Sequence, residues 1–185
     1  MGALKIVTRR NVIQRLKKLG DIIFLQETHL SQGEHEKLGR LAGTQIFSSS
    51  YKSAKRGVAV LLKNNLRFIK DRCIREKQGR FVFLQGEIDG QLVTLINVYD
   101  PPGERVALMK RILCLLMSEA KGLTIMGGDL NLEMNQKIDT TSRIKHKSEP
   151  SAKLLREDLS KTHSLVTMYI KLLMLLITLE KQNNK

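Results

Sequence analysis

The chain is poor in the residues that staple or zinc-clip a small protein. Two cysteines in 185 residues, Cys73 and Cys114, exclude a disulfide-built scaffold. Neither belongs to a CxxC pair, so a zinc site is not expected. Tryptophan is absent and aromatics make up 4%, which argues against bases stacking across an exposed aromatic sheet. The opening MGALKIVTRR lacks the charged, apolar, then small-residue order of a secretory signal, and an intracellular, reducing setting is the expectation. No internal repeat is visible. Residues 164–179 are strongly apolar but contain Lys171, and they fall short of the roughly 20 clean residues that span a bilayer. They read as a core or self-associating helix, with a helix lying on a membrane surface as the alternative.

Acidic residues are also scarce, 18 against 32 Lys and Arg, leaving a net charge of +14. Residues 1–20 carry six basic and no acidic residues, and residues 51–80 carry ten basic and two acidic. These two stretches account for the whole net charge, while the remainder cancels. Clustered positive charge points to a polyanion, phosphate backbone being the commonest; a solvated basic face is the plainer alternative. At 42% hydrophobic the chain can bury a core, and its length suits one domain, with or without an appendage.

Leu4-Lys5-Ile6-Val7 reads as a short strand, and Val12, Ile13, Leu16 and Leu19 as a helix face stopped by Gly20. Ile22–Leu25 is a buried strand. Ser31 with Glu34 resembles a capping box opening a helix over 32–39. Strands follow at 57–62, 80–87 and 92–99, the last two joined by the hairpin signal Asp89-Gly90. Pro101-Pro102-Gly103 ends the third. Residues 104–120 form an amphipathic helix, and Leu123–Met126 is a further buried strand before Gly127-Gly128-Asp129. The order β-α-β-α-β-β-β-α-β suggests layered sheets flanked by helices. The stretch after about residue 136 is polar and loop-like, and 152–159 is read as helical.

Two carboxylates stand out. Glu27 and Asp129 each lie just past the C-terminal end of a buried strand, where α/β sheets gather their sites. Acidic groups there are costly unless paired or bound to a cation, and two such oxygen donors suit Mg²⁺ or Mn²⁺. Asp129 and Asn131 share a side in extended chain, as do Asn97 and Tyr99. Gly127 and Gly128 would permit close backbone approach, and a phenol at position 99 can donate to a phosphate oxygen. A solvated strand end and an ordinary turn are the plainer readings of Glu27 and of Gly-Gly-Asp taken singly.

Taken in order, Ile22-Ile-Phe-Leu-Gln-Glu-Thr-His29, Arg56-Gly-Val-Ala-Val60, Asn97-Val-Tyr-Asp-Pro101 and Ile125-Met-Gly-Gly-Asp-Leu-Asn131 resemble the endonuclease/exonuclease/phosphatase superfamily. The likeness is greatest to the apurinic-endonuclease-like domain of LINE-type retrotransposon polyproteins. It covers about residues 4–142 and sets off 143–185 as a divergent tail. The resemblance implies a four-layer α/β sandwich, two sheets flanked by helices, here partial and without its C-terminal strands. It implies a metal-dependent DNA endonuclease using Mg²⁺, with Mn²⁺ as substitute, and so DNA as partner and a nuclear place of action. No protein partner is implied. By the same resemblance Glu27 holds the metal, Tyr99 contacts the scissile phosphate, Asp129 orients or activates water, and Asn131 steadies the phosphate. His29 belongs to the motif without an assignable role.

The chain departs from the pattern at three places. The family's W-N-x-x-G segment, whose Asn belongs to the metal site, has no counterpart: Leu4–Thr8 runs straight into Arg9-Arg10-Asn11-Val12, and Asn11 is not given that role. Y-x-P-N becomes Tyr99-Asp100-Pro101-Pro102, so an amide is replaced by a ring without a donor. The S-R-I-D and S-D-H segments, bearing further Asp and His groups, do not occur, and neither His146 nor His163 has their context. Losing one member of a catalytic unit costs orders of magnitude in rate. An impaired, truncated nuclease is therefore one expectation. A catalytically inactive remnant that binds nucleic acid through its basic patches is the second. A related hydrolase acting on phosphorylated lipid, with the tail at a membrane, is the third.

Overall fold

The computed structural model describes residues 2–52, 55–101, 105–130 and 166–170. The elements run α1 (Gly2–Leu19), β1 (Ile22–Leu25), α2 (Gln32–Ala42), β2 (Thr44–Ser49), β3 (Val58–Lys63), β4 (Phe68–Arg75), β5 (Phe81–Ile88), β6 (Gln91–Tyr99), α3 (Arg105–Glu119), β7 (Leu123–Asp129) and β8 (Val166–Ile170). A three-stranded sheet has the order β1-β3-β2, and a five-stranded sheet the order β4-β5-β6-β7-β8. The small sheet is antiparallel throughout. In the large one β4, β5 and β6 are antiparallel, while β7 and β8 join in parallel.

Alternation along the strands builds four layers. On β3, Val58, Val60 and Leu62 face the large sheet, whereas Ala59 and Leu61 face the helices. On β5, Val82 and Leu84 turn inward and Phe81 and Phe83 outward. Ile13 and Leu16 of α1 with Leu38 and Ala42 of α2 cover the outer side of the small sheet. Leu108, Met109, Ile112, Leu113 and Leu116 of α3 cover the outer side of the large one. Two sheets flanked by helices, the arrangement expected from the sequence, is what the chain adopts.

Several local signals act as their chemistry dictates. Ser31 accepts from the backbone of Glu34, and Glu34 returns the bond to the Ser31 N–H at 2.8 Å, so α2 opens on a full capping box. Asp89 and Gly90 both have positive φ, 50° and 82°, and close β5 onto β6 as a two-residue hairpin.

Four segments differ from the sequence reading. Leu4–Val7 is helix, part of α1, rather than strand. No proline or glycine lies between residues 3 and 19, so a helix formed over Val12–Leu19 extends back at one new hydrogen bond per residue fixed. Lys17 and Lys18 favour its C-terminal end. Strands β2 and β4 had no sequence signal. β2 mixes serines with Ile46 and Phe47, while β4 is an edge strand whose bulge at Lys70–Arg72 and run of charges hide its alternation. Where a helix was expected over 164–179, Val166–Ile170 pairs with Thr124–Gly128 as strand β8. Its Val, Thr, Tyr and Ile suit a pleated ladder, and the edge of β7 that would otherwise stay open supplies the partner. The remainder of that stretch, and residues 152–159, lie outside the described residues.

Leu84 is fully buried between the sheets. Leu84→Ala is expected to lower folding stability by about 2–5 kcal/mol, measured by urea denaturation.

Candidate functional site

The site begins with Asn97, which lies on the inward face of β6 two residues before Tyr99 and is fully buried. Its Nδ2 donates to the carbonyls of Leu25 at 2.9 Å and Ala59 at 2.8 Å, one from each of two strands in the opposite sheet. Its Oδ1 accepts from Nε2 of Gln26 at 2.6 Å. One buried amide thus spends both donors and its acceptor on the opposite sheet and its margin. It also pins the C-terminal end of β1 over β6.

Beyond Gln26 the chain turns sharply. Glu27, His29 and Arg56 all have left-handed φ, at 47°, 51° and 58°. Such values are uncommon for residues with a side chain and persist where the surroundings hold them. Here Thr28 N–H donates to Gly57 O at 3.0 Å and His29 N–H to Arg56 O at 2.9 Å, prolonging the β1–β3 pairing through both turns. Gly57 is required: a Cβ there would lie 2.4 Å from Thr28 Oγ1. From the other side, buried His35 bridges Thr28 Oγ1 (2.9 Å) and Ser50 Oγ (3.0 Å) through its two ring nitrogens.

The strand ends then meet. The Tyr99 hydroxyl donates to Glu27 Oε1. In the parallel ladder Tyr99 stands opposite Asp129, and Asp100 N–H donates to Asp129 O at 2.8 Å. Two glycines allow this approach. A Cβ on Gly127 would fall 2.3 Å from the Phe24 ring, and one on Gly128, at φ 142°, 1.9 Å from Val98 O. Burial foremost, then the hydrogen bond to Glu27 and the charges of Glu27 and Asp129, push the Tyr99 phenol well above its ordinary value of 10.0, while Arg56 pulls it down. The phenol is therefore protonated at neutral pH and available as a donor.

Glu27, Tyr99 and Asp129 are thus brought together from β1, β6 and β7. Asn131 lies outside the described residues, as do His146 and His163. Asn11 is exposed on α1, and His29 is exposed beside Glu27. Sequence reasoning missed three contributors: Asn97 as the tie between sheets, His35 as the prop under Thr28, and Arg56 as the site's cation. The sequence pairs Asn97 with Tyr99 on one side of a strand, but nothing local shows its bonds to Leu25, Ala59 and Gln26, and nothing local marks the buried His35. Arg56 was visible only as part of Arg56-Gly57-Val58. Among the described residues no group of three or more His, Cys, Asp or Glu is placed to hold a metal. The two carboxylates, Glu27 and Asp129, are hard oxygen donors of the kind that fits Mg²⁺, a cation that takes few protein ligands and keeps several waters.

Residues 5–140 match the model of the Endonuclease/Exonuclease/phosphatase family, and the chain belongs to that family. Solved structures share the fold. An AP endonuclease from Archaeoglobus fulgidus is 19% identical, with 83% of this chain and 65% of that one covered and a TM-score of 0.63. The endonuclease domain of TRAS1, a telomere-specific non-LTR retrotransposon, is 15% identical, with 85% and 65% covered and a TM-score of 0.56. Danio rerio TDP2 complexed with a single-strand DNA product is 21% identical, with 71% and 57% covered and a TM-score of 0.51. The chain therefore spans less than two thirds of each of these proteins.

Asn97→Ala would remove three bonds between the sheets and deprive the Gln26 amide of its acceptor. The expected loss is about 3 kcal/mol in chemical denaturation. Because the folded Tyr99 phenol ionises at higher pH than the unfolded one, its contribution to stability is complete below about pH 10 and lost as the pH rises further. In ultraviolet titration, the difference between the parent and Tyr99→Phe is expected to show no phenolate at position 99 at about pH 11.

Proposed function

We propose that this chain is the metal-dependent DNA endonuclease domain of a retrotransposon, with slow turnover. The observation that carries the reading is the Tyr99 hydroxyl on the Glu27 carboxylate with Asp129 facing it across the β6–β7 ladder. The ordered motifs and the similarity to the TRAS1 endonuclease domain support the retroelement origin. The clustered basic charge, and the DNA product in the TDP2 complex, support DNA as substrate.

Glu27 and Asp129 would hold Mg²⁺, or Mn²⁺ in its place. When bound, the ion offsets charge that develops on the phosphate. The remaining chemistry belongs to side chains. Tyr99, kept protonated, passes its hydrogen bond from Glu27 to a non-bridging phosphate oxygen. Asp129 orients a water and takes its proton as the water oxygen attacks phosphorus. The bond from phosphorus to the 3′-oxygen breaks, and the leaving oxygen is protonated from solvent, giving a 5′-phosphate and a 3′-hydroxyl. Asn131 is assigned to the phosphate by its place in Asp129-Leu130-Asn131. The chain contains no S-R-I-D or S-D-H segment, so the groups that would complete a proton relay are lacking and turnover is expected to be low.

The charge distribution favours a second reading, in which the chain binds nucleic acid without cutting it. Supercoiled plasmid incubated with Mg²⁺ separates the two. Nicking that falls by about a hundredfold or more in Glu27→Ala and in Asp129→Ala is the expected result. Absence of nicking at every metal concentration overturns the nuclease reading for this chain. Binding without nicking that weakens steeply with salt establishes the second.

A further inference from the structure

Next to the site stands an aromatic side chain that the chemistry above does not use. Tyr51 is 44% exposed. Lys52 Nζ lies 5.5 Å from its ring centroid and the Arg56 guanidinium carbon 5.7 Å. The backbone beneath it is held firmly. Ser50 is anchored on buried His35, and the turn at Gly79 packs so closely that a Cβ there would lie 3.0 Å from Tyr51 N. Arg56 is fixed at both ends: its carbonyl accepts from His29 N–H, and its Nη1 donates to Gln78 Oε1 at 3.2 Å. The side chain next to Tyr51 is thereby tied to the turn that carries Glu27. No acidic residue occurs between Glu36 and Asp71, while Lys52, Lys55 and Arg56 crowd the same stretch.

We propose that Tyr51, Lys52 and Arg56 form a nucleotide grip beside the Glu27–Tyr99–Asp129 site, in which the two cations take a backbone phosphate and the Tyr51 ring stacks on an unpaired base of the same DNA strand. An exposed ring with cations at its π system suits a ligand that alternates flat aromatic groups with phosphates. An anion released onto Lys52 and Arg56 frees ring surface for the base that follows it. The anchoring of Ser50 and Arg56 lowers the ordering cost of binding. The choice of DNA rests on the nuclease reading, whereas the grip itself is read out by binding alone.

The test is binding of a short single-stranded oligonucleotide to the full chain in EDTA, compared with an abasic oligomer of equal length. Tyr51→Ala is expected to weaken the base-bearing ligand about tenfold, to leave the abasic one unchanged and to keep the salt slope. Tyr51→Trp is expected to bind at least as tightly as the parent, which also shows that position 51 tolerates change. Arg56→Ala is expected to weaken both ligands and to reduce the salt slope by about one. Two results overturn the grip: base-bearing affinity of Tyr51→Ala within about twofold of the parent, or equal loss on both ligands, as for a general polyanion surface. A parent that never nicks plasmid but shows the Tyr51-dependent preference for bases fails the nuclease reading and keeps the grip. Nicking with no Tyr51 dependence does the reverse.

Discussion

The amide of Asn97 does in one place what neither sheet can do alone. Between two apolar faces a polar group is tolerated only when all its capacity is used, and Asn97 uses both donors and its acceptor on Leu25, Ala59 and Gln26. Hydrophobic packing between Val58, Val60, Leu62 and Val82, Leu84, Leu95 holds the layers together but permits sliding. Three directional bonds do not. They set where β1 ends above β6, and hence where Glu27 stands relative to a tyrosine two residues along from the amide.

The geometry gathers negative charge around the Tyr99 phenol. Tyr99 responds by holding its proton, and Arg56 supplies opposing charge from the rim. Two carboxylates beside a protonated phenol make a site able to accept a cation. The left-handed backbone at Glu27, His29 and Arg56 fits this picture, since strain of that kind survives only under several independent constraints. The paired turns, Gly57 and the His35 bridge provide them.

Much of the fold was legible because it follows short-range rules. Apolar runs marked β3, β5 and β6, Asp89-Gly90 marked the β5–β6 hairpin, and Ser31 with Glu34 marked α2. The Glu27, Tyr99 and Asp129 positions were legible as strand-end motifs, although only the folded chain shows them adjacent. What escaped is decided by neighbours. Leu4–Val7 alternates like a strand but continues the helix that follows it, and β4 is polar because it is an edge. Val166–Ile170 is apolar in a way that helix and strand share, and the edge of β7 decides between them. Asn97 and His35 matter through partners far away in sequence.

That remoteness has a consequence for how the molecule comes into being. The bonds from Asn97 to Leu25 and from Tyr99 to Glu27 each close a loop of 72 residues. Such contacts carry the full entropic penalty of ring closure before they return any enthalpy. During synthesis β1 leaves the ribosome long before β6 exists, so the small sheet must wait with one face uncovered. The corner where Glu27, Tyr99 and Asp129 meet is then a late product of maturation. A nascent or partly folded chain carries the same carboxylates but cannot yet bring them together beside the phenol.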